Sequence, residues 1–314
     1  DMFFVFYYPD RPRQSRIDLR IHDRVPEIWD PLRGTRADAP MFERTKTGVS
    51  VPVQLEPWGS TFLVFRRPLG TRWIAGAAEV AGLNLLDRPG ALLAQARSVR
   101  LKLSDGSNRE VPLPTLPAPV TIDKGWQVEF PALGAGGRSR PLDRFTSWSE
   151  NADPAIRYHS GTGIYRTRVE LPAGPDGVVA MLDLGRVADI ARVRVNGRDA
   201  GIAWSPPFRL DVTPYLRAGT NTLEIHVANR WVNRLIGDEA IPVNVKYQKN
   251  GSRFTDGRIT SLPDWLYRPN GRREWPRHSF TTWKHYEADS PLLPAGLLGP
   301  VRIEWWGAVP ATIK

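Results

Sequence analysis

The stretch ARVRVNGRDAGIAW (191–204) decides how the chain reads. Asn196-Gly197 stands between two short runs, and Asn-Gly is the preferred pair for a type I′ hairpin turn because both central residues need positive φ. The alternation on the first run puts Val193 and Val195 on one face and Arg192, Arg194 and Asn196 on the other, as in a half-buried strand. Downstream, RLDVTPYLRAGTNTLEIHVAN (209–229) continues with a strand, a Thr-Pro turn capping half a helical turn, and a Gly-Thr-Asn turn into another strand. All of it is explained by folding alone.

Working outward, similar short runs recur between turn signals: FFVFYY (3–8), RIDLRI (16–21), TFLVFRR (61–67), VRLKL (99–103), IYRTRVEL (164–171), VVAMLDL (178–184) and VRIEWW (301–306). Regularly spaced short strands of this kind predict an all-β, multi-unit β-sandwich rather than βαβ units. Only residues 73–96 have a helix-like composition, and their three Gly and one Pro favour short strands or a loop. Three regions follow: 1–68, a small β-unit; 69–120, a second unit closed by the Pro-rich PLPTLPAPV (112–120); and 121–314, long enough for a jelly-roll sandwich with elaborated loops.

The 314 residues are 41% hydrophobic and 24% charged, with a net charge of +10, enough length and apolar content for a sizeable core. The basic residues are scattered Arg without a run or a nucleic-acid motif, which argues against nucleic acid as partner. There are 12 Trp and no Cys, so thiolate chemistry and Cys-bound zinc are excluded, and the Trp content suits either core packing or stacking on sugar rings. No apolar run approaches the ~20 residues of a membrane span. His22, His159, His226, His278 and His285 have no metal-ligand spacing, and DxDxDG and GxSxG motifs are absent. GAGG (134–137) lacks the strand-Gly-helix context of a phosphate cradle. The opening DMFFVFYYPD has neither an initiator Met nor a signal peptide, the expectation for a chain that begins inside a larger polypeptide.

GTGIYRTRVELP, VRVNGRDAGIAWSPPFRLDVTPYLRAGTNTLEIHVANRW and GLLGPVRI together resemble the galactose-binding-like, sugar-binding jelly roll of family 2 glycoside hydrolases. WDPLRGTRADAPMFE, VQLEPWGSTFLVFRR, SWSENADPAIRYHSGTGIYR, NRLIGDE and FTTWKHYEADSPLLPAGLLGPVRI are similar to the C-terminal part of glycoside hydrolase family 106, the α-L-rhamnosidases, in order from about Phe3 to Trp306. The resemblance implies inverting hydrolysis by carboxylates on an N-terminal (β/α)₈ barrel, with calcium assisting sugar binding in the full-length protein. A barrel needs roughly 250 residues of alternating strands and helices, and this chain has no such alternation. The implied role is a non-catalytic β-sandwich portion, periplasmic or secreted. Its partners would be a rhamnose-containing glycan or glycoside and a catalytic barrel in the same polypeptide or a cleaved partner chain.

Inverting hydrolysis needs two carboxyl groups about 6.5–9.5 Å apart across the sugar. Asp238 and Glu239 are sequence neighbours on what reads as one loop, NRWVNRLIGDEAIP (229–242), so their side chains diverge, and the sequence singles out no second carboxylate among Glu150, Asp153 and Glu287. No catalytic residue is therefore assigned. A salt bridge from Asp238 or Glu239 to Arg230 or Arg234 accounts for them equally well. In family 2 enzymes the loop after this strand lends polar residues to the sugar pocket, which by resemblance makes Asn229, Trp231, Asn233, Asp238 and Glu239 candidates for substrate binding. Amides, an indole and carboxylates are the groups a neutral sugar requires. Trp148 and Tyr158, and Trp283 and His285, form two further aromatic-polar clusters, though Trp283 sealing the core and His satisfied at the surface are equally ordinary roles. A free-standing carbohydrate-binding module is the alternative, and a chain hydrolytic by itself is the third reading.

Overall fold

Asn196 and Gly197 turn the chain as their residue types require, with φ at +51° and +78°, and join strands Ile190–Val195 and Arg198–Ala203 in an antiparallel pair. The computed structural model describes residues 1–8, 13–57, 59–78, 90–137, 139–172, 174–241, 245–249, 251, 256–268, 277 and 279–310. The hairpin is locked by amide chemistry. Asn196 Nδ2 donates to the Tyr215 carbonyl and to Asn221 Oδ1, and its Oδ1 accepts from Thr222 N–H. Asn221, wholly buried, donates to the Arg217 and Gly219 carbonyls while its Oδ1 also accepts from Arg217 N–H. A buried amide is tolerated because its donors and acceptor are used.

The protein is all-β, and the sandwich fills its C-terminal two-thirds. One sheet has six strands in the order Arg140–Leu142, Trp126–Glu129, Thr162–Leu171, Gly219–Ala228, Ile190–Val195 and Arg198–Ala203. The facing sheet runs Val120–Thr121, Arg302–Pro310, Val178–Asp183 and Arg209–Asp211, and Ala91–Ala94 also pairs with Arg302–Pro310. Val193, Val195, Leu223, Ile225 and Val227 from the first sheet share a core with Leu182, Ile303 and Trp305 from the second. The outer face of the six-stranded sheet is charged. Arg166 lies opposite Glu224, which lies opposite Arg194, and Arg166 pairs with Glu224 at 2.7 Å and Glu129 at 2.6 Å. Part of the scattered Arg content is thus a solvated ladder, each exposed pair contributing roughly 0–1 kcal/mol.

Two smaller cores precede the sandwich. Met2–Phe6, Ser60–Val64, Glu27–Asp30 and Thr35–Asp38 form one sheet, and Arg13–Leu19, Gly48–Leu55 and Glu43–Thr45 another. Phe42, Val49, Val51, Val53, Leu63 and Phe65 pack together there. Ile74–Ala78, Ser98–Leu103 and Asn108–Pro112 form the next sheet, whose core includes Leu92, Val99, Leu101 and also Val309 from the C-terminal strand. Of the ambiguous stretch 73–96, residues 79–89 lie outside the described residues, and strands Ile74–Ala78 and Ala91–Ala94 flank them. One expectation is corrected: the segment after Ala228, read as a loop, contains the helix Val232–Glu239. No described helix is long and apolar enough to cross a membrane.

Replacing Asn221 with Leu would strand buried partners around the hairpin at once. The expected loss is about 2–4 kcal/mol, read as a lower denaturant midpoint at unchanged slope; a loss under about 0.5 kcal/mol would show that the amide network does not hold this end of the sandwich.

Candidate functional site

Strands Thr162–Leu171 and Gly219–Ala228 end side by side, with Thr162 opposite Ala228, and the candidate residues begin there. Asn229 Nδ2 donates to the His159 carbonyl at 2.8 Å and its Oδ1 accepts from Gly161 N–H at 3.0 Å. Arg230 pairs with Asp189 at 3.0 Å. Trp231 is 61% exposed. The helix Val232–Glu239 then turns its polar side chains inward: Asn233, buried, exchanges two 2.8 Å hydrogen bonds with the Leu293 backbone.

Asp238 is buried as well, and the Glu239 side chain is 7% exposed. Asp238 Oδ2 accepts from Ser279 N–H at 2.6 Å and Ser279 Oγ at 2.7 Å, and Oδ1 lies 3.3 Å from Arg234 Nη1. Glu239 accepts from Arg277 Nη2 and, at 3.0 Å, from Lys284 Nζ. Lys284 reaches Glu287 at 3.0 Å too. Burial works against the charge on Lys284, but hydrogen bonds to Glu287 and Glu239 outweigh it and raise its pKa. Two carboxylates at a helix C-terminus face an unfavourable dipole, so Arg277, Lys284 and Ser279 supply the compensation. The expected Arg234–Asp238 bridge is present, at i,i+4 spacing on a helix. Arg277 is itself 1% exposed, and its Nη1 has no hydrogen-bond partner among the described residues.

The other candidates separate by exposure. Trp148 is buried, its Nε1 donating to Tyr165 Oη at 2.6 Å and its ring edge-on to Phe130, so it presents no face to a ligand. Burial pushes the Tyr165 hydroxyl up to about 12, with hydrogen bonds from Leu297 N–H and Trp148 opposing. Tyr158 is half-buried and lies against the helix at Gly237, where any side chain would meet its ring. His159 is buried between Phe130 and Trp148, and burial, aided by the Arg234 charge, depresses its pKa against a hydrogen bond with the Thr162 backbone. Trp283 is half-buried and bridged through its backbone to Arg258, and His285 is exposed. Asp153 caps the short Pro154–Arg157 helix. The structure therefore brings Asn233, Asp238, Glu239 and the 277–293 segment together as an internal lock, leaving Trp231 and His285 as its openly exposed candidates.

Sequence reasoning missed Arg277, whose carboxylate partner Glu239 lies 38 residues away, and Trp204, 54% exposed at the end of strand Arg198–Ala203. The signal for Trp204 was present as an indole beside Ser-Pro-Pro, where a rigid turn leaves it no core to enter. Among the described residues no group of three or more His, Asp or Glu could hold a metal ion. Among the described residues there is thus no cluster of three such side chains for the calcium that the resemblance implies.

No family model matches the chain. The rhamnosidase from Novosphingobium sp. PP1Y aligns with 97% of this chain at a TM-score of 0.66 and 29% identity, over 22% of its own length. A protein of Formosa agariphila named "Putative beta-glucuronidase" is 39% identical over 191 residues, 60% of this chain and 16% of its own. The chain spans less than a quarter of either protein. Its architecture is that of a glycoside hydrolase-like β-sandwich.

Asp238→Ala would leave the Ser279 N–H and hydroxyl unpaired in the interior and Arg234 without its counter-charge. A loss of about 3–5 kcal/mol is expected, together with faster proteolysis within 277–293. Equal protease resistance in the variant and the parent would disprove the lock.

Proposed function

We propose that the chain is the β-sandwich portion of an α-L-rhamnosidase-type glycoside hydrolase of family 106. It would carry a galactose-binding-like jelly roll, buttress a catalytic barrel and lend surface residues to carbohydrate binding. The observation that carries this reading is that nearly the whole chain matches less than a quarter of a rhamnosidase, at 29% identity. The reaction belongs in this reading to the remainder of the polypeptide. Asp238 and Glu239 are consumed by buried hydrogen bonds and cannot bracket a sugar ring, so the residues left for a pocket rim are Trp231 and its neighbours. A calcium ion assisting sugar binding would likewise be held outside the described residues, and a glycan substrate suits a periplasmic or secreted location.

The N-terminal sheet supports a buttressing role. Phe3 and Val5 point into the core, while Met2, Phe4, Phe6 and Tyr8 point out and are 42–66% exposed. Phe4 stacks on Phe6 and meets Phe62 at 5.1 Å, Phe6 lies edge-on to Tyr8, and register places Trp29 beyond Phe62. A contiguous aromatic face on an edge strand is the kind of surface that a partner domain covers. The alternative, a free-standing carbohydrate-binding module, draws on the exposed Trp231, which offers a stacking platform without any barrel.

Two measurements test the proposal. The 314-residue chain alone should leave 4-nitrophenyl α-L-rhamnopyranoside intact; release of nitrophenol would place catalysis here. It should also bind an apolar dye such as anilinonaphthalene sulfonate, and Phe4→Ser with Phe6→Ser should remove most of that signal while shifting Tm by less than about 4 °C. Retention of the dye signal in the double variant would remove the support for a buttressing face.

A further inference from the structure

A cleft of about 470 Å³ lies between the N-terminal unit and the sandwich. Its sandwich wall is the segment Trp204–Pro207, and its other wall comes from Ile28, Leu32, Leu55 and their neighbours. The volume is in the range of small-molecule sites, which gather where domains meet and combine apolar walls with a few polar groups. The position of Trp204 follows from sheet register. Ala191 lies opposite both Ala203 and Val227, so strands Arg198–Ala203 and Gly219–Ala228 run parallel and leave the sheet at the same end, about 10 Å apart at two strand spacings. Trp204 follows one strand and Trp231 follows the other.

The geometry points to a carbohydrate subsite in this cleft, taking a neutral sugar ring against Trp204. The exposed indole and the prolines beside it match the C–H face of a pyranose. Ser60 and Ser205 line the cleft as well, and their hydroxyls can both donate to and accept from those of a sugar. The charge selects against anions. In a chain of net charge +10, the cleft is lined by Asp30, Asp38 and Glu56 against the single described basic residue Arg33. Arg33 is already engaged by Asp30 at 2.8 Å, and Asp38 pairs with Arg67. The guanidinium in the described lining is thus already committed, so a uronic acid would find no counter-charge there, whereas a neutral ring needs none. This subsite is independent of whether a barrel precedes the chain.

Saturation-transfer NMR and titration calorimetry on the 314-residue chain test it with methyl α-L-rhamnopyranoside, methyl β-D-glucuronide and 4-nitrophenol. Wild type should bind the rhamnoside and prefer it to the glucuronide and to nitrophenol by at least about fivefold. Trp204→Ala should weaken the rhamnoside about tenfold, with unchanged circular dichroism. Tyr267→Ala, which removes an exposed ring that does not line the cleft, should stay within about twofold. The subsite is refuted if wild type binds none of the probes, if Trp204→Ala binds as wild type does, if Tyr267→Ala is the variant that loses binding, or if the glucuronide or free nitrophenol binds as well as the rhamnoside.

Discussion

The pairing of Thr162–Leu171 with Gly219–Ala228 is the constraint on which the rest of the molecule depends. It is continuous from Thr162 opposite Ala228 to Leu171 opposite Gly219, and it sits in the middle of the six-stranded sheet with two strands on either side. Tyr165, Leu223, Ile225 and Val227 project from it into the core, while Arg166 and Glu224 meet on the solvent face. Because side chains alternate with period two, a slip of one residue would exchange these two sets and put a guanidinium in the core. The register therefore has one solution, and both ends of the pair are fixed with it.

What happens at those ends differs in kind. At the Gly219 end, Asn221 and Asn196 satisfy backbone groups and close a hairpin, a purely structural outcome. At the Ala228 end the chain leaves the sheet through Asn229, which ties back to His159 and Gly161, and enters a helix whose carboxylates hold residues from 277 to 284. Residue types that suit a sugar site suit this task equally well, because amides and carboxylates bind backbone N–H groups by the same hydrogen-bond chemistry as hydroxyls. The difference is burial, and burial belongs to the tertiary structure.

That distinction explains what was legible in the sequence. The strands were, since alternation in ARVRV and TLEIHV is a local signal, and so was the Asn196-Gly197 turn, whose φ requirement is local too. The helix Val232–Glu239 was not. It carries a Gly, two acids at the unfavourable end and no side-chain cap, so its intrinsic tendency is poor. It is held by partners far along the chain: Tyr158 against Gly237, Leu293 on Asn233, Ser279 on Asp238 and Arg277 on Glu239. No window of sequence contains those contacts. The two walls of the Trp204 cleft are likewise more than a hundred residues apart, and although the lone Trp before Ser-Pro-Pro is visible, what faces it is not.

The N-terminal sheet joins these separate features. It is a single layer whose strands alternate: Ile28 and Thr61 face inward and line the cleft, while Trp29 and Phe62, their immediate neighbours, face outward beside Phe4. The outward face also carries Arg66 over the Trp29 ring at 5.0 Å and bonded to Glu27. Burial opposes ionisation of Glu27, but hydrogen bonds from Arg66, Trp29 and Arg67 prevail and hold its carboxyl at about 2. Arg67 meanwhile links Glu27 to Asp38 on the edge strand. The same strands therefore serve two faces through separate residues, Ile28 and Thr61 toward the cleft and Trp29 and Phe62 away from it, because side chains on a strand alternate with period two.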